Sequence, residues 1–280
     1  MPRILIAGCG YVGQATADLF HRAGWAVEGW TKSNTGTSKP YPIHAIDLTD
    51  AKQVHAYEGN FDVIVHCAST RGGDVDLYRR VYLNGARNLL ETFATSTMLF
   101  TSSTSVYAQT NGEWVTEESA TEPRRQTGQI LRETEELVLA HGGIIARLAG
   151  IYGPGRSALL NKFLAGKAVI DPETDRFINQ AHRDDIAAAL FILLDPQRQT
   201  KQIYNVVDDQ PIRRGECYRW LAKKLNRPLP PVEKSVARGK RGESSKYVSN
   251  AKLRGLGWTP RYPTFAEAME KSILPSFGHL

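Results

Sequence analysis

Cysteine is scarce in this chain: three residues in 280, at Cys9, Cys67 and Cys217. They are odd in number, far apart and without metal-ligand spacing. That excludes a disulfide scaffold and a zinc module, and the thiols are expected to be free, as in a reducing cytosol. Long apolar runs are also missing. No stretch reaches the roughly 18 residues needed to span a bilayer, and the first strand begins at the N-terminus with no leader pattern before it. A cytoplasmic protein with no membrane partner is the expectation. There is no internal repeat and no low-complexity tract. Hydrophobic residues make up 41 % and charged residues 23 %, ordinary for a globular chain with a real core. The length suggests about two domains.

Charge is unevenly placed. Residues 213–261 hold fourteen Lys/Arg against three Glu, while the remainder holds 21 basic and 26 acidic residues. A basic C-terminal portion on a slightly acidic body fits an anionic ligand, and equally a solvated face. The sequence pI of 9.2 raises nucleic acid as a partner. No recognition motif supports it, so a small-molecule substrate is expected instead.

The strongest signal lies in the first thirty-three residues. Arg3-Ile4-Leu5-Ile6-Ala7 reads as a buried strand, and Gly8-Cys9-Gly10-Tyr11-Val12-Gly13 follows it into a helical pattern ended by Gly24. Ala26 to Thr31 is the next strand. A GxGxxG in this context points to a dinucleotide. Gly8 permits the tight turn, Gly10 removes a side chain that would block a pyrophosphate, and Gly13 allows close helix packing. The pyrophosphate then meets the N–H groups of the helix start.

Strands and helices go on alternating. Ile43 to Ile46, Phe61 to His66, Met98 to Thr101 and Ile144 to Leu148 read as strands, and Gln202 to Val206 as a strand able to join them. Asp50–Tyr57, Asp74–Thr95, Gly128–His141, Arg183–Leu194 and Arg213–Leu225 read as helices, with short ones at Asn250–Leu256 and Phe265–Ile273. Gly239 to Ser245 reads as a polar loop. This alternation predicts an α/β fold, a doubly wound parallel sheet, with ligands at the C-terminal strand ends. The expected division is a dinucleotide-binding Rossmann domain over 1–150, with 182–210 returning to it. A smaller substrate-binding part would be formed by 151–181 and 211–280.

Asp47-Leu48, Asp62 to Ala68, Asn84, Thr101-Ser102-Ser103-Thr104-Ser105-Val106-Tyr107, Arg147 to Pro154, His182 to Ala187 and Leu256-Gly257-Trp258-Thr259-Pro260 together carry a resemblance that runs nearly end to end. The chain resembles the extended short-chain dehydrogenase/reductases of the NAD-dependent epimerase/dehydratase group. The resemblance implies cofactor contacts at Gly8, Gly10, Tyr11, Val12, Gly13, Asp47, Leu48, Cys67, Ala68, Ser69, Asn84, Ser102 and Gly150. It also implies a catalytic serine at Ser103.

Three departures qualify it. The glycine loop is GxGxxG where the family's usual loop begins Thr-Gly-Gly. The second strand ends Thr31-Lys32-Ser33 with no acid, so these residues are expected to meet a 2′-phosphate and NADP is expected over NAD. Finally, the family's Tyr-x-x-x-Lys is absent from the chain, and matching places Thr127 and Leu131 at its two positions. Loss of a positioned acid/base costs about 10²–10⁴ in rate. The resemblance offers Tyr152 as a replacement acid; Tyr107, close to Ser103 but with a usually structural family counterpart, His66 at a strand end and His182 at a helix start are further candidates. Arg132, one helical step from Leu131, points elsewhere. Arg213, Arg214, Arg238 and Arg241 are the candidate contacts for an anionic, nucleotide-linked substrate. The reading is an NAD(P)-binding protein with altered acid/base chemistry, or an inactive dinucleotide-binding sensor or scaffold. A homodimer stays open.

Overall fold

The computed structural model describes residues 1–33, 38–70, 72–195, 199–234 and 245–278. Seven parallel strands form the central sheet: β1 (Arg3–Ala7), β2 (Ala26–Thr31), β3 (Ile43–Ala45), β4 (Val63–His66), β5 (Thr97–Ser103), β6 (Ile144–Leu148) and β7 (Ile203–Val206). Their order is β3-β2-β1-β4-β5-β6-β7. Ile4, Leu5, Ile6 and Ala7 are wholly enclosed, as expected where helices cover both faces of a parallel sheet. The chain reverses direction across the sheet between β1 and β4, which opens a crevice at their C-terminal ends.

Local chemistry sets most helix starts. Asp50 accepts the Lys52 and Gln53 amides, Asp74 the Leu77 amide, Ser157 the Leu160 amide and Thr264 the Glu267 amide. The helix Tyr11–Arg22 packs against Arg183–Leu193 on one face of the sheet. The long helix expected over 74–95 is not uniform. Val75–Tyr78 and Gly85–Thr92 are α-helical, and Arg79–Asn84 between them is a π-helical turn. A side chain from another strand meets this turn. His66 Nε2 lies 3.2 Å from the Val81 carbonyl oxygen and 3.3 Å from that of Tyr82, both within the π-helical turn. A Cβ on Gly85 would make only ordinary contact here, 3.4 Å from Leu48 and 3.6 Å from His66.

A second hydrophobic core gathers Tyr152, Leu160, Phe163, Cys217, Tyr218, Leu221, Tyr262, Phe265, Met269 and Ile273. Asp185 joins the two cores. Its carboxylate accepts the Arg261 and Tyr262 amides at 2.7 and 3.1 Å, and its carbonyl accepts the Trp258 indole N–H. The sequence around Trp258 is thus a clip onto the start of helix Arg183–Leu193. No described helix is long and apolar enough to cross a membrane.

Candidate functional site

The glycine loop is shaped by close approach. Gly8 has φ +103°, and a Cβ there would lie 2.2 Å from the Ala68 nitrogen. A Cβ on Gly13 would lie 2.4 Å from the Gly8 carbonyl oxygen, so this glycine packs the helix on the loop itself rather than on a strand. Cys67 donates to the same carbonyl at 3.2 Å, and Cys9 fills the space left by Gly29. Burial pushes the Cys9 thiol up to about 12, so it is an inert filler. Gly10 differs: its Cβ position has only the Gly8 oxygen near it, at 4.0 Å. The helix that follows has no side-chain cap and no acid in its first turn. Uncapped amides beside an open glycine fit a dinucleotide pyrophosphate.

At the far end of the cleft Lys32 pairs with Asp47 at 2.9 Å, and the lysine side chain is 77 % exposed. Asp47 is held by the Thr49 amide and hydroxyl, and Thr31 donates to the Ser33 carbonyl. Asn88 fixes the Leu48 carbonyl. Ala68 and Ser69 follow β4, Ala68 lying against Gly8, and Asn84 is the last residue of the π-helical turn.

The β5 and β6 ends are filled by a buried polar network. Ser102 donates to Glu135 at 2.6 Å, and Arg147 grips Glu135 through Nε and Nη2 at 3.1 and 2.8 Å. Arg147 Nη1 donates to the Tyr107 hydroxyl, which donates to Asn205. Arg132 also pairs with Glu135. Ser102 therefore has its hydroxyl proton committed to Glu135. Arg147 was the available signal: a charge inside an apolar strand needs a buried partner. Ser103 stands differently. Its hydroxyl oxygen accepts the Ser105 amide at 3.1 Å, and among the described residues its proton is in no hydrogen bond.

Thr127, Leu131 and Glu135 lie at four-residue steps on helix Gln126–Ala140 and share one face. Thr127 is half-buried, and Leu131 belongs to the main core. Thus neither an acid nor a cation is presented at these positions.

The replacement candidates are all enclosed. Tyr152 is 1 % exposed in the second core, where burial raises its pKa well above the ordinary tyrosine value and Asp208 and Asp185 add to the effect. It has neither access nor acidity for proton transfer near neutral pH. Gly150 begins the same short strand, Gly150–Tyr152, which pairs with Gln180–His182. His66 and His182 are fully buried, and desolvation lowers both to about 4. His182 caps its helix by accepting the Asp184 amide at Nδ1, which puts its proton on Nε2, 2.9 Å from the Ser272 hydroxyl. Both histidines are neutral structural groups.

Arg213 donates to the Asp175 carbonyl and stacks over Phe177 at 4.3 Å, while Arg214 reaches Thr174 at 3.5 Å. They brace the 174–177 segment. Arg238, Arg241 and most of the expected polar loop lie outside the described residues. Lys246 went unnoticed in sequence. It is 4 % exposed, donates to the Tyr107 carbonyl at 2.7 Å, and burial lowers its pKa to about 8. The open hollow lined by Met1, Arg3, Asp62 and Thr95 is at the opposite, N-terminal end of the strands.

Comparison with known proteins agrees with this geometry. Protein YeeZ of Escherichia coli K12 is 26 % identical over 94 % of this chain and 97 % of its own. A Methylobacillus flagellatus structure described as of the NAD-dependent epimerase/dehydratase type is 25 % identical, with 99 % of both chains covered and a TM-score of 0.79. The Thermus thermophilus UDP-glucose 4-epimerase, solved with NAD, superposes over 100 % of both chains with a TM-score of 0.83 at 20 % identity, a likeness of fold. The NAD dependent epimerase/dehydratase family profile matches residues 4–206. With the open glycine loop and the parallel sheet around it, that match settles the assignment: the chain belongs to the NAD-dependent epimerase/dehydratase family.

Proposed function

We propose that this protein binds NADP(H) in preference to NAD(H) and acts on a sugar-like or nucleotide-linked small molecule by chemistry that departs from the family's tyrosine–lysine mechanism. The observation that carries the reading is the helix face Thr127–Leu131–Glu135. Its middle residue is committed to the core and its last to Arg147. A bound nicotinamide supplies hydride transfer. Of the chain's own groups, Ser103 can donate to a reacting oxygen. Thr127 cannot titrate near neutral pH, so a proton must come from substrate or solvent.

The NADP preference rests on Lys32. Its exposed pairing with Asp47 contributes little and exchanges readily for a phosphate. A charge-assisted contact of about 1.5–3 kcal/mol gives roughly tenfold or more. Titration of the intrinsic fluorescence with NADPH and NADH is expected to show that difference, and Lys32→Asp to reverse it. Equal dissociation constants sink the preference. UDP-glucose, the substrate named for the Thermus relative, is expected to show little conversion. Turnover at a rate typical of such epimerases removes the claim of altered chemistry. The second reading, a dinucleotide-binding sensor without turnover, is favoured by Leu131. It is decided by whether any compound in a metabolite screen oxidises bound NADPH.

A further inference from the structure

We propose that Arg156 and Arg183 form a two-guanidinium clamp for a diphosphate, built on the ring of Tyr11 at the mouth of the glycine loop. Three separate segments converge there. Tyr11 opens the glycine-loop helix and donates its hydroxyl proton to the Pro154 carbonyl at 2.9 Å. The Arg156 guanidinium lies 5.2 Å from the Tyr11 ring centroid and that of Arg183 lies 5.0 Å from it. Gly153 makes the approach possible. It has φ +154°, and a Cβ there would stand 2.6 Å from the Tyr11 hydroxyl oxygen and 3.2 Å from the Arg183 Cβ. Gly153 and Arg156 exchange both backbone hydrogen bonds at 2.9 Å, and the Gly155 amide donates to Ser276, so the arginine is carried on a tightly closed turn.

Charge is the reason to expect a ligand. Two cations are held against one aromatic ring, and of the two only Arg183 has a carboxylate partner among the described residues. Asp184 engages Arg183 at Nε, 2.8 Å away, which leaves the terminal nitrogens of Arg183 available. Arg156 is exposed and in no ion pair among the described residues. His182 beside them is neutral, its pKa lowered to about 4 by burial. An anion with oxygens on two centres satisfies this arrangement, and the planar fork of arginine suits phosphate. The diphosphate has two sources, the bound dinucleotide or a second, nucleotide-linked ligand. This inference rests on the proposed function for the second source only.

The test is calorimetric titration of the full-length protein with three probes at low and high salt: inorganic pyrophosphate, NADPH, and UDP added to NADPH-saturated protein. Wild type is compared with Arg156→Gln, Arg183→Gln and the double variant, with thermal melting to verify folding. Pyrophosphate affinity is expected to fall at least about tenfold in the double variant and with rising salt. Asp184→Asn, which releases Arg183, is expected to strengthen it. A parallel loss for NADPH assigns the clamp to the cofactor. A loss for UDP with NADPH unchanged assigns it to the second ligand. If pyrophosphate binds through the arginines while NADPH does not bind at all, the clamp stands and the cofactor reading fails. The clamp is overturned if wild type binds none of the three, or if the double variant binds each as tightly as wild type.

Discussion

The two halves of the same sheet edge are built on opposite plans. At the ends of β1 and β4 the protein withdraws its side chains. Gly8, Gly10 and Gly13 let backbone meet backbone, and the helix amides are left without a capping group. At the ends of β5 and β6 it fills the space with its own charges, Glu135 against Arg147, closed by Ser102, Tyr107 and Asn205. The first half is prepared for a ligand, whereas the second satisfies itself. The glycine loop thus stays open beside a helix face that is committed to internal contacts.

Breaking the self-satisfied half should have the largest effect. Glu135→Ala leaves Arg147 buried without its partner, and a loss of about 3–5 kcal/mol is expected in denaturant unfolding. Glu135→Leu with Arg147→Met should recover much of it. If the single variant costs under about 1 kcal/mol, the network is not what holds this half together. The open half should break differently. Gly8→Ala forces a left-handed residue into the Ala68 backbone. A loss of about 2–4 kcal/mol is expected, together with loss of NADPH binding. Near-normal binding by this variant would mean that the loop adapts.

Asp185 sharpens the comparison at the join between the cores. Asp185→Asn keeps the shape and one acceptor but points its amide hydrogens at one of the Arg261 and Tyr262 N–H groups, at an expected cost of about 1–3 kcal/mol at pH 7. The variant also carries a pH signature. Burial raises Asp185 from 3.8 to about 6, against the hydrogen bonds from Arg261 and Tyr262. Its neutral form is favoured in the fold, so that stabilisation is complete below pH 3.8 and lost as pH rises through 6. Lowering the pH from 7 to 4 should therefore favour wild type over Asp185→Asn. A pH-independent difference in melting temperature would reject the shift.

The smallest effect is expected at Lys246. Desolvation lowers it from 10.5 to about 8, so the unfolded chain binds the extra proton between those values and stability rises with pH there. Lys246→Met should melt higher than wild type at pH 7, and the gap should close by a few degrees toward pH 10. A gap that widens with pH would mean that the ammonium is stabilised where it lies.

Most of the sheet and the cofactor loop were legible in the chain. Apolar runs such as Arg3–Ala7 and Phe61–His66 can be buried only on both faces, and glycines placed between strand and helix have few other uses. The absence of Tyr-x-x-x-Lys was equally plain, since it needs only the order of residues. The rest depended on partners distant in sequence. The π-helical turn at Arg79–Asn84 meets His66, which reaches it from another strand. Tyr152 looked like a candidate acid until the second core enclosed it. Arg156 and Arg183 are ordinary surface residues until folding brings both onto Tyr11. The sequence by itself determined which segments become strands, which helices are capped and where the backbone must come close, because propensity, periodicity and φ preference act over a few residues. Only the tertiary structure decided which charges are enclosed, which are matched and which stay open to a ligand, because burial and electrostatic pairing belong to the assembled surroundings of a group.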